Sequence, residues 1–530
     1  MSEQFCIGNN DYNSVKYDVL IIGCGHAGIE AANAASSFAR TAIIVVNNYD
    51  IGKLSCNPAI GGIAKSHLVC EISSLGGVIG KLTDKSAIHV NVLNRSKGRA
   101  VRSLRVQVDR LFYNQASAKA LVNTKIINDE VIELNYKNNY INVLLISGTR
   151  LNVKTVVIAT GTFCCATCHI GECVLGAGRL LDQRNNAMIK LFRKYGIKTK
   201  RFKTGTPPRI NKQSIKWQYT QRIISESVSY GFNQLLSSQL KTNICCRIVY
   251  TNPETNKLLM MYNKTSSSRL GVLLGLGPKY CLSIEDKISR LNKCQRFVLE
   301  PEGIDSDNVY LNGAFTSLPI EIQLTMAKTL DAFKTVTFAK MGYAVEYDVV
   351  NADEITNTLQ LKRLENVFTA GQINGTTGYE EAAAQGWLAG TNASRQSKHK
   401  IAYKLNKLFS YIGLLAYDIN TSPIRGPYRA LTSRAITRNV LRQRNSILRL
   451  LPNVLSTFAL TDSKEAKKLL WANYIKIFKL SAYILNKHII TINKFYLYNH
   501  RMLTKNVSAI LCEKKYKHIL NYSQLMSKQI

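Results

Sequence analysis

Apolar residues in the first third of the chain come in short unbroken runs. Tyr17-Asp18-Val19-Leu20-Ile21-Ile22 is one such run, and it predicts a parallel strand buried on both faces. Gly23-Cys24-Gly25-His26-Ala27-Gly28 follows at once, and the alanine-rich stretch 29–39 predicts a helix. Thr41–Val46 reads as a second buried strand. Residues 52–80 are small and glycine-rich, which predicts loop and short helix. Residues 99–123 set arginines and apolar side chains at helical spacing. Lys154–Ala159 is a further strand, running into Thr160-Gly161-Thr162. Val367-Phe368-Thr369-Ala370-Gly371 is the last strand-like run, ahead of a glycine-rich turn and a predicted helix over Glu380–Ala389. Between these segments, residues 205–340 hold turn signals and short strand-like runs, the mark of an insertion. Beyond about residue 400 glycines thin out, helical periodicity takes over and basic residues accumulate.

The turn Gly23-x-Gly25-x-x-Gly28 lies between a buried strand and a helix, which is the setting of a dinucleotide-binding fingerprint. Gly23 allows the tight turn, Gly25 lets backbone amides approach a pyrophosphate, and Gly28 lets helix and strand pack closely. The helix N-terminus then stabilises the anion. About 20 residues on, where an acidic side chain usually holds a ribose hydroxyl, the chain has Asn47. Val156–Gly161 resembles the Ala-Thr-Gly strand of two-dinucleotide flavoproteins. Val367–Gln372 resembles their last flavin-contacting strand, with Gln372 in place of the common Asp. One fingerprint and two later returns to the same sheet predict bound FAD and a discontinuous domain. The expected fold class is α/β, a Rossmann-type FAD-binding domain with inserted α+β domains and a helical C-terminal domain. The boundaries are 1–204 and 341–398 for the two FAD-binding parts, 205–340 for the insertion and 399–530 for the basic helical end.

Composition narrows the function classes. The 530 residues are 46% hydrophobic, with 32 Gly and 10 Pro, which excludes disordered and collagen-like chains. No apolar stretch approaches about 20 residues, so no membrane-spanning helix is expected. The first seventeen residues are polar, so no secretory leader is expected and the location is cytoplasmic. Thirteen cysteines in this length are too dilute for a disulfide scaffold and read as reduced thiols. Seventy Lys/Arg against 34 Asp/Glu give a net charge of +36. Either a polyanionic partner, nucleic acid first, or drift toward Asn, Ile, Lys and Tyr accounts for that excess. The tail shares it: residues 464–530 carry thirteen Lys/Arg and two Asp/Glu.

Three clusters carry candidate chemistry. In Ser55-Cys56-Asn57-Pro58, Pro58 can open a helix with Cys56 just outside its N-terminus, where the dipole favours a thiolate. A small buried cysteine in a glycine-rich loop is the bland alternative. Cys164, Cys165, Cys168, His169 and Cys173 imitate haem-attachment and zinc spacings. Zinc sites usually bring a second paired spacing and haem attachment belongs to exported proteins, so no metal is expected. Arg434, Arg438 and Arg442 recur every four residues, which would place them on one helical face as a phosphate-contacting patch.

Several long motifs carry a resemblance. Ser55–Gly62 (SCNPAIGG), Ser96–Gly98 (SKG), Lys203–Arg209 (KTGTPPR), Tyr280–Lys287, Leu299–Gly303 (LEPEG), Thr316–Pro319 (TSLP), Gly342–Asp348 and Gly371–Gly386 (GQINGTTGYEEAAAQG) closely resemble the GidA family, also called MnmG. The similarity runs from about residue 17 to about residue 450. The resemblance implies an FAD-dependent tRNA modification enzyme acting at carbon 5 of the wobble uridine. It implies a homodimer working with the GTPase MnmE on tRNA, with FAD, NADH and methylenetetrahydrofolate. By motif match, FAD is cradled by Gly23, Cys24, Gly25, His26, Ala27 and Gly28, with Val131 and Gln372 as further contacts. The NAD region is matched by Gly277, Pro278, Lys279, Tyr280, Leu282, Ser283, Ile284, Glu285, Asp286, Lys287, Ile288, Ser289, Arg290 and Leu291. Cys56 and Cys281 match the two reactive cysteines, one nucleophile and one general acid/base in either order. Lys97 and Arg102 would lie near flavin or RNA. A related FAD- and folate-dependent tRNA uridine methyltransferase, and a non-catalytic FAD-containing tRNA-binding relic, are the alternatives. The chain departs from the family at Arg99 and Leu282, each in place of Pro, and at Ile436-Thr437 in place of Glu-Tyr. Beyond about residue 450 no family sequence is recognisable, so GTPase docking and fine tRNA selection are the functions these departures touch.

Overall fold

The structure, a computed structural model, describes residues 16–137, 140–233, 240, 242, 244–277, 282–291, 293–421, 426–447, 449–450 and 453. The chain divides into two compact units, Met1–Arg444 and Asn445–Ile530. The basic tail 464–530 lies outside the described residues. So does most of the helical end expected over 399–530.

The first unit is organised around a seven-stranded sheet. Its strands are β1 (Tyr17–Ile22), β2 (Thr41–Val45), β6 (Lys125–Asn128), β7 (Val131–Lys137), β8 (Tyr140–Leu145), β9 (Arg150–Ile158) and β22 (Val367–Thr369). The order is β6-β2-β1-β9-β8-β7, with β22 also on β9. Strand β1 is parallel to both neighbours, with Val19 opposite Thr41 on one side and Thr155 on the other. Val19, Leu20 and Ile21 are fully buried, which is why this strand reads as an unbroken apolar run. The first half of β9 pairs antiparallel with β8, and its second half pairs parallel with β22, Val156 opposite Val367. Three distant chain segments therefore meet in one sheet, as the sequence predicts.

Helix α1 (His26–Ser36) packs against α9 (Tyr379–Gln396), which runs about two turns further at its end than the sequence suggests. The approach is backbone to backbone. A Cβ on Gly386 would stand 2.0 Å from the Ala27 carbonyl, and one on Gly390 would stand 2.2 Å from that of Ala31.

Between these elements lie α2 (Lys65–Ser74), α3 (Ile79–Lys85) and α4 (Arg110–Lys119), and a three-stranded antiparallel sheet of β3 (Ala59–Gly61), β4 (Ala87–Leu93) and β5 (Ser103–Val108). This corrects the helical expectation for 99–123. Only 110–119 is helical there, because Leu104, Val106 and Val108 alternate as a strand and are fully buried against β3 and β4.

Four strands form an antiparallel sheet: β10 (Thr167–Ile170), β11 (Cys173–Leu175), β14 (Thr199–Thr206) and β21 (Tyr343–Val350), ordered β11-β10-β21-β14. A two-stranded ribbon, β12 (Ala177–Arg179) with β13 (Asp182–Gln183), and α5 (Ala187–Lys194) lie between β11 and β14 in the chain. The inserted segment forms a six-stranded sheet, β16 (Gln221–Ile223), β17 (Cys246–Tyr250), β18 (Arg296–Pro301), β19 (Asn308–Asn312), β15 (Arg209–Asn211) and β20 (Phe338–Lys340), in that order. Helices α6 (Pro253–Tyr262), α7 (Ile284–Leu291) and α8 (Ile320–Lys328) belong to the same insertion. Ile284, Ile288, Phe297, Leu299, Leu311 and Met326 meet there in one core. Helix α10 (Tyr411–Thr421) is docked through its N-terminus: the Glu71 carboxylate accepts from the Tyr411 and Ile412 amides.

Candidate active site

The turn after β1 has the shape the fingerprint requires. Gly23 has φ +102°, and a Cβ there would stand 2.5 Å from the Ala159 carbonyl oxygen. A Cβ on Gly28 would stand 1.8 Å from the Gly23 carbonyl oxygen, so only glycine lets α1 lie this close to the turn. At Gly25 nothing lies within 4 Å of the corresponding position. No side chain caps α1, so its first-turn amides face that open space without a partner from the helix. The ends of β1, β9 and β22 converge at the same place: Gly161 follows β9, and Gln372 Oε1 lies 3.7 Å from a Cβ built on it. His26 is buried, its Nε2 has no hydrogen-bond partner, and burial lowers its pKa to about 4, so the ring is neutral. Burial also pushes the Cys24 thiol up to about 12, which makes it a packing residue of the turn. These features fit a dinucleotide pyrophosphate, with an orphaned ring nitrogen beside it.

Other predicted contacts differ in character. The Val131 side chain is buried, and its carbonyl accepts from Asn185 Nδ2 at 3.0 Å. Asn47 is exposed after β2, and its Oδ1 accepts from the Tyr49 amide at 3.0 Å. Lys97 closes an exposed turn, and Arg102 donates to the Arg95 carbonyl at 2.8 Å.

Cys56 is half-buried, and the expectation that it precedes a helix is corrected. Residues 59–61 are β3, held by Ala59 opposite Gln107 and Ile60 opposite Val106, and α2 begins only at Lys65. Burial of Ile60 in that sheet outweighs the helix-starting preference of Pro58. Side chains instead position the cysteine. Its amide donates to the Tyr379 hydroxyl at 2.7 Å. Its carbonyl accepts from Arg209 Nη2 at 3.0 Å, and the same nitrogen reaches the Ser55 carbonyl at 2.7 Å. Its sulfur lies 3.1 Å from the Tyr310 hydroxyl. Arg209 is buried, bonded to Glu302 at 3.2 Å and stacked 5.1 Å over the Tyr310 ring. Burial opposes ionisation of Glu302, yet Arg110 and Arg209 together hold its carboxyl below the usual range. Two guanidinium groups face one carboxylate, leaving net positive charge beside the thiol.

The first turn of α9 joins this cysteine to the cofactor turn. The Tyr379 ring stacks on His26 at 4.5 Å between centroids. Glu380 Oε1 accepts from the Gly61 amide at 2.7 Å, and its Oε2 pairs with Lys65 at 2.8 Å. Residues 379 and 380 thus grip both ends of the loop that carries Cys56. Sequence reasoning did not assign Tyr310, Tyr379, Arg209 or Glu302. Three of the four lie inside the resembling motifs, which was the available signal, and Tyr310 lies in none.

Of the predicted NAD region, Pro278, Lys279, Tyr280 and Cys281 lie outside the described residues. Just before them, Leu276 runs along β14: Lys203 donates to its carbonyl at 3.0 Å, and its amide donates to Arg201 at 3.1 Å. Gly277 and, after α7 begins, Ser289, Arg290 and Leu291 are exposed; Leu282 and Ser283 are half-buried. Ser283 accepts from the Asp286 amide at 3.3 Å, Asp286 pairs with Arg269 at 3.5 Å, and Lys287 donates to Gly313 at 3.4 Å. Glu285 is buried, and burial pushes its carboxyl up to about 7. Ile284 and Ile288 are buried in the hydrophobic core of the insertion, as packing residues.

The arginine patch also needs correction. Thr432–Arg434 is a single 3-10 turn, and turns follow through 436–440, so Arg434, Arg438 and Arg442 do not share a helical face. Tertiary contacts override the four-residue spacing. Arg434 donates to the Arg429 carbonyl at 3.0 Å, stacks 4.4 Å from the Tyr428 ring and lies 3.5 Å from Asp418. Ala435, Leu441 and Gln443 are buried at a spacing no helix has. All three arginines are nonetheless exposed.

In the cysteine cluster, Cys168 donates to the Ala177 carbonyl at 3.3 Å, and His169 faces Glu346 at 3.3 Å. Among the described residues no group of three or more His, Cys, Asp or Glu could hold a metal ion. Nor is any helix among them long and apolar enough to cross a membrane.

A mostly parallel sheet assembled from three chain segments, opening on a glycine turn and an uncapped helix N-terminus, defines a Rossmann-type dinucleotide-binding protein with inserted α+β segments. The chain belongs to the family described as glucose inhibited division protein A, or GidA, whose profile matches residues 18–401. It is 40% identical over 444 residues to the tRNA uridine 5-carboxymethylaminomethyl modification enzyme MnmG of Protochlamydia amoebophila, covering 82% of this chain and 71% of that protein. The enzyme of the same name from Mycoplasma mobile is 39% identical over 481 residues, covering 89% and 78%. Among solved structures, Aquifex aeolicus GidA in its form I crystal superposes with a TM-score of 0.81 at 38% identity, covering 88% of this chain and 80% of that one. The expected fold class and family are both borne out.

Proposed function

We propose that this chain is a flavoenzyme that modifies the wobble uridine of certain tRNAs at carbon 5, adding an aminomethyl or carboxymethylaminomethyl group. Its relatives carry the latter activity in their names. The residues that would hold FAD are those of the turn Gly23–Gly28, with Gln372 beside it and the Val131 backbone further along the sheet. FAD, when bound, supplies two-electron redox chemistry. NADH would reach the Gly277–Leu291 stretch, and methylenetetrahydrofolate would supply the carbon. The working form is a cytoplasmic homodimer that joins the GTPase MnmE. The basic surface, +36 overall, would attract the tRNA, with exposed Arg434, Arg438 and Arg442 contributing phosphate contacts.

Carbon 5 of uracil is a poor nucleophile. A thiolate adding at carbon 6 moves the carbon 5–carbon 6 electron pair onto carbon 5 and the adjacent carbonyl, and carbon 5 can then attack an electrophilic carbon. Cys56 and Cys281 would divide the nucleophile and acid/base roles. Cys56 is suited to either, because its backbone is gripped at both the amide and the carbonyl and its half-buried sulfur is held beside the Tyr310 hydroxyl at 3.1 Å. The observation that carries this reading is the short path from cofactor turn to thiol: His26 stacks on Tyr379, whose hydroxyl holds the Cys56 amide at 2.7 Å.

The test incubates unmodified tRNA with FAD-loaded protein, its GTPase, the folate donor, glycine or ammonium, and NADH. Nucleoside mass spectrometry should find the wobble uridine heavier by the aminomethyl or carboxymethylaminomethyl group. A methyl group alone would replace this reading with the methyltransferase, and unmodified tRNA in the complete mixture would leave a flavin-containing relic.

A further inference from the structure

Cys56 has three polar atoms, and three separate segments claim them. The amide belongs to Tyr379 on α9, the carbonyl to Arg209 on β15, and the sulfur to Tyr310 on β19. The first two contacts hold the backbone. The third touches the reacting atom. Tyr310 is fully buried in the central part of the six-stranded sheet, between β18 and β15, so its hydroxyl is fixed by the fold and not by solvent.

The direction of that hydrogen bond follows from the chemistry of the two groups. A thiolate can only accept, so once Cys56 has ionised the phenol must donate to it. The competing arrangement, phenolate beside thiol, is disfavoured: burial first, then the neighbouring sulfur, pushes the Tyr310 phenol well above its usual range. Arg209, stacked over the same ring, adds positive charge on the side of the thiolate.

We propose that Tyr310 is a further catalytic residue of this site, its hydroxyl donating to the Cys56 sulfur to stabilise and aim the thiolate. This rests on the reading of Cys56 as a reactive residue, and it holds whether Cys56 is nucleophile or base, since both roles pass through the thiolate. No bond other than S–H is made or broken in this step. The thiol proton leaves to solvent, and the phenol keeps its own.

The test uses the full FAD-loaded chain with Tyr310→Phe, which preserves the ring and its packing. Cys56 is alkylated with iodoacetamide across a pH series, and its peptide is quantified by mass spectrometry. Loss of a hydrogen bond to a charged acceptor should move the profile up by about one pH unit, roughly a tenfold slower alkylation at neutral pH. Tyr310→His, which returns a donor, should recover part of that shift. The alkylation readout survives even if a variant loses flavin. Identical profiles in wild type and Tyr310→Phe would overturn the proposal. Failure of the reading beneath it would look different: Cys56→Ser would then modify tRNA at the wild-type rate whatever Tyr310 does.

Discussion

Two glycines of the cofactor turn, Gly25 and Gly28, should respond to alanine differently. At Gly28 the new Cβ would stand 1.8 Å from the Gly23 carbonyl oxygen and 2.8 Å from its carbon, both backbone atoms of a tight turn. Alanine gains about 1 kcal/mol of helix propensity over glycine. Overpacking of this kind costs about 1–3 kcal/mol, and the upper end applies because no flexible side chain can give way. Gly28→Ala should therefore lower stability by about 2 kcal/mol and open the turn, losing FAD as well. At Gly25 the backbone is extended in ψ with φ −71°, ordinary for any residue, and nothing lies within 4 Å. Gly25→Ala should cost the apoprotein no more than about 1 kcal/mol, the typical loss for alanine at a helix N-cap. Its Cβ would instead occupy the space through which the pyrophosphate reaches the amides of α1. FAD affinity should fall at least about tenfold, or about 1.4 kcal/mol. The assays are thermal unfolding of each apoprotein and FAD titration by flavin fluorescence. Wild-type FAD affinity in Gly25→Ala would refute the assignment of the turn as the cofactor cradle.

Two further outcomes follow from buried groups. Burial pushes the Glu30 carboxyl from 4.5 up to about 7, against the Val78 and Ile79 amides that it accepts from. A folded pKa above the unfolded one means that its stabilising contribution is complete below about pH 4.5 and disappears as pH rises through about 7. Measured by urea unfolding, the stability of wild type relative to Glu30→Gln should fall by about 3 kcal/mol across that window, and a flat difference would contradict the assignment. Gly390→Ala should destabilise the α1–α9 contact by about 1–3 kcal/mol, because its Cβ would meet the Ala31 carbonyl oxygen at 2.2 Å; an unchanged melting temperature would show that the helices stand further apart.

Legibility in the sequence followed the range of the interactions. Strands β1, β2, β9 and β22 were readable because a strand buried on both faces must be continuously apolar, and the glycine turn because its geometry excludes other residues at Gly23 and Gly28. The strand β5 reads as helix in the sequence because Arg102 and Arg105 among apolar residues imitate helical spacing, and its alternation becomes decisive only where it pairs with β3 and β4. The arginines of 434–442 repeat at four, yet Tyr428, Asp418 and the buried Gln443 decide their backbone. The surroundings of Cys56 were hidden for the same reason. Tyr379, Arg209 and Tyr310 lie 323, 153 and 254 residues away from it, so no local pattern could bring them together. The local Ser55–Pro58 pattern and the motif resemblance both point at the loop, and both name the cysteine without its neighbours.

The central claim is that a flavin turn and a gripped thiol act together on tRNA. It is tested most directly by comparing wild type with Cys56→Ser in the complete tRNA reaction, with bound FAD measured in the same samples. The account predicts equal FAD content, a modified wobble uridine with wild type and none with the serine variant. Full modification by Cys56→Ser would contradict it.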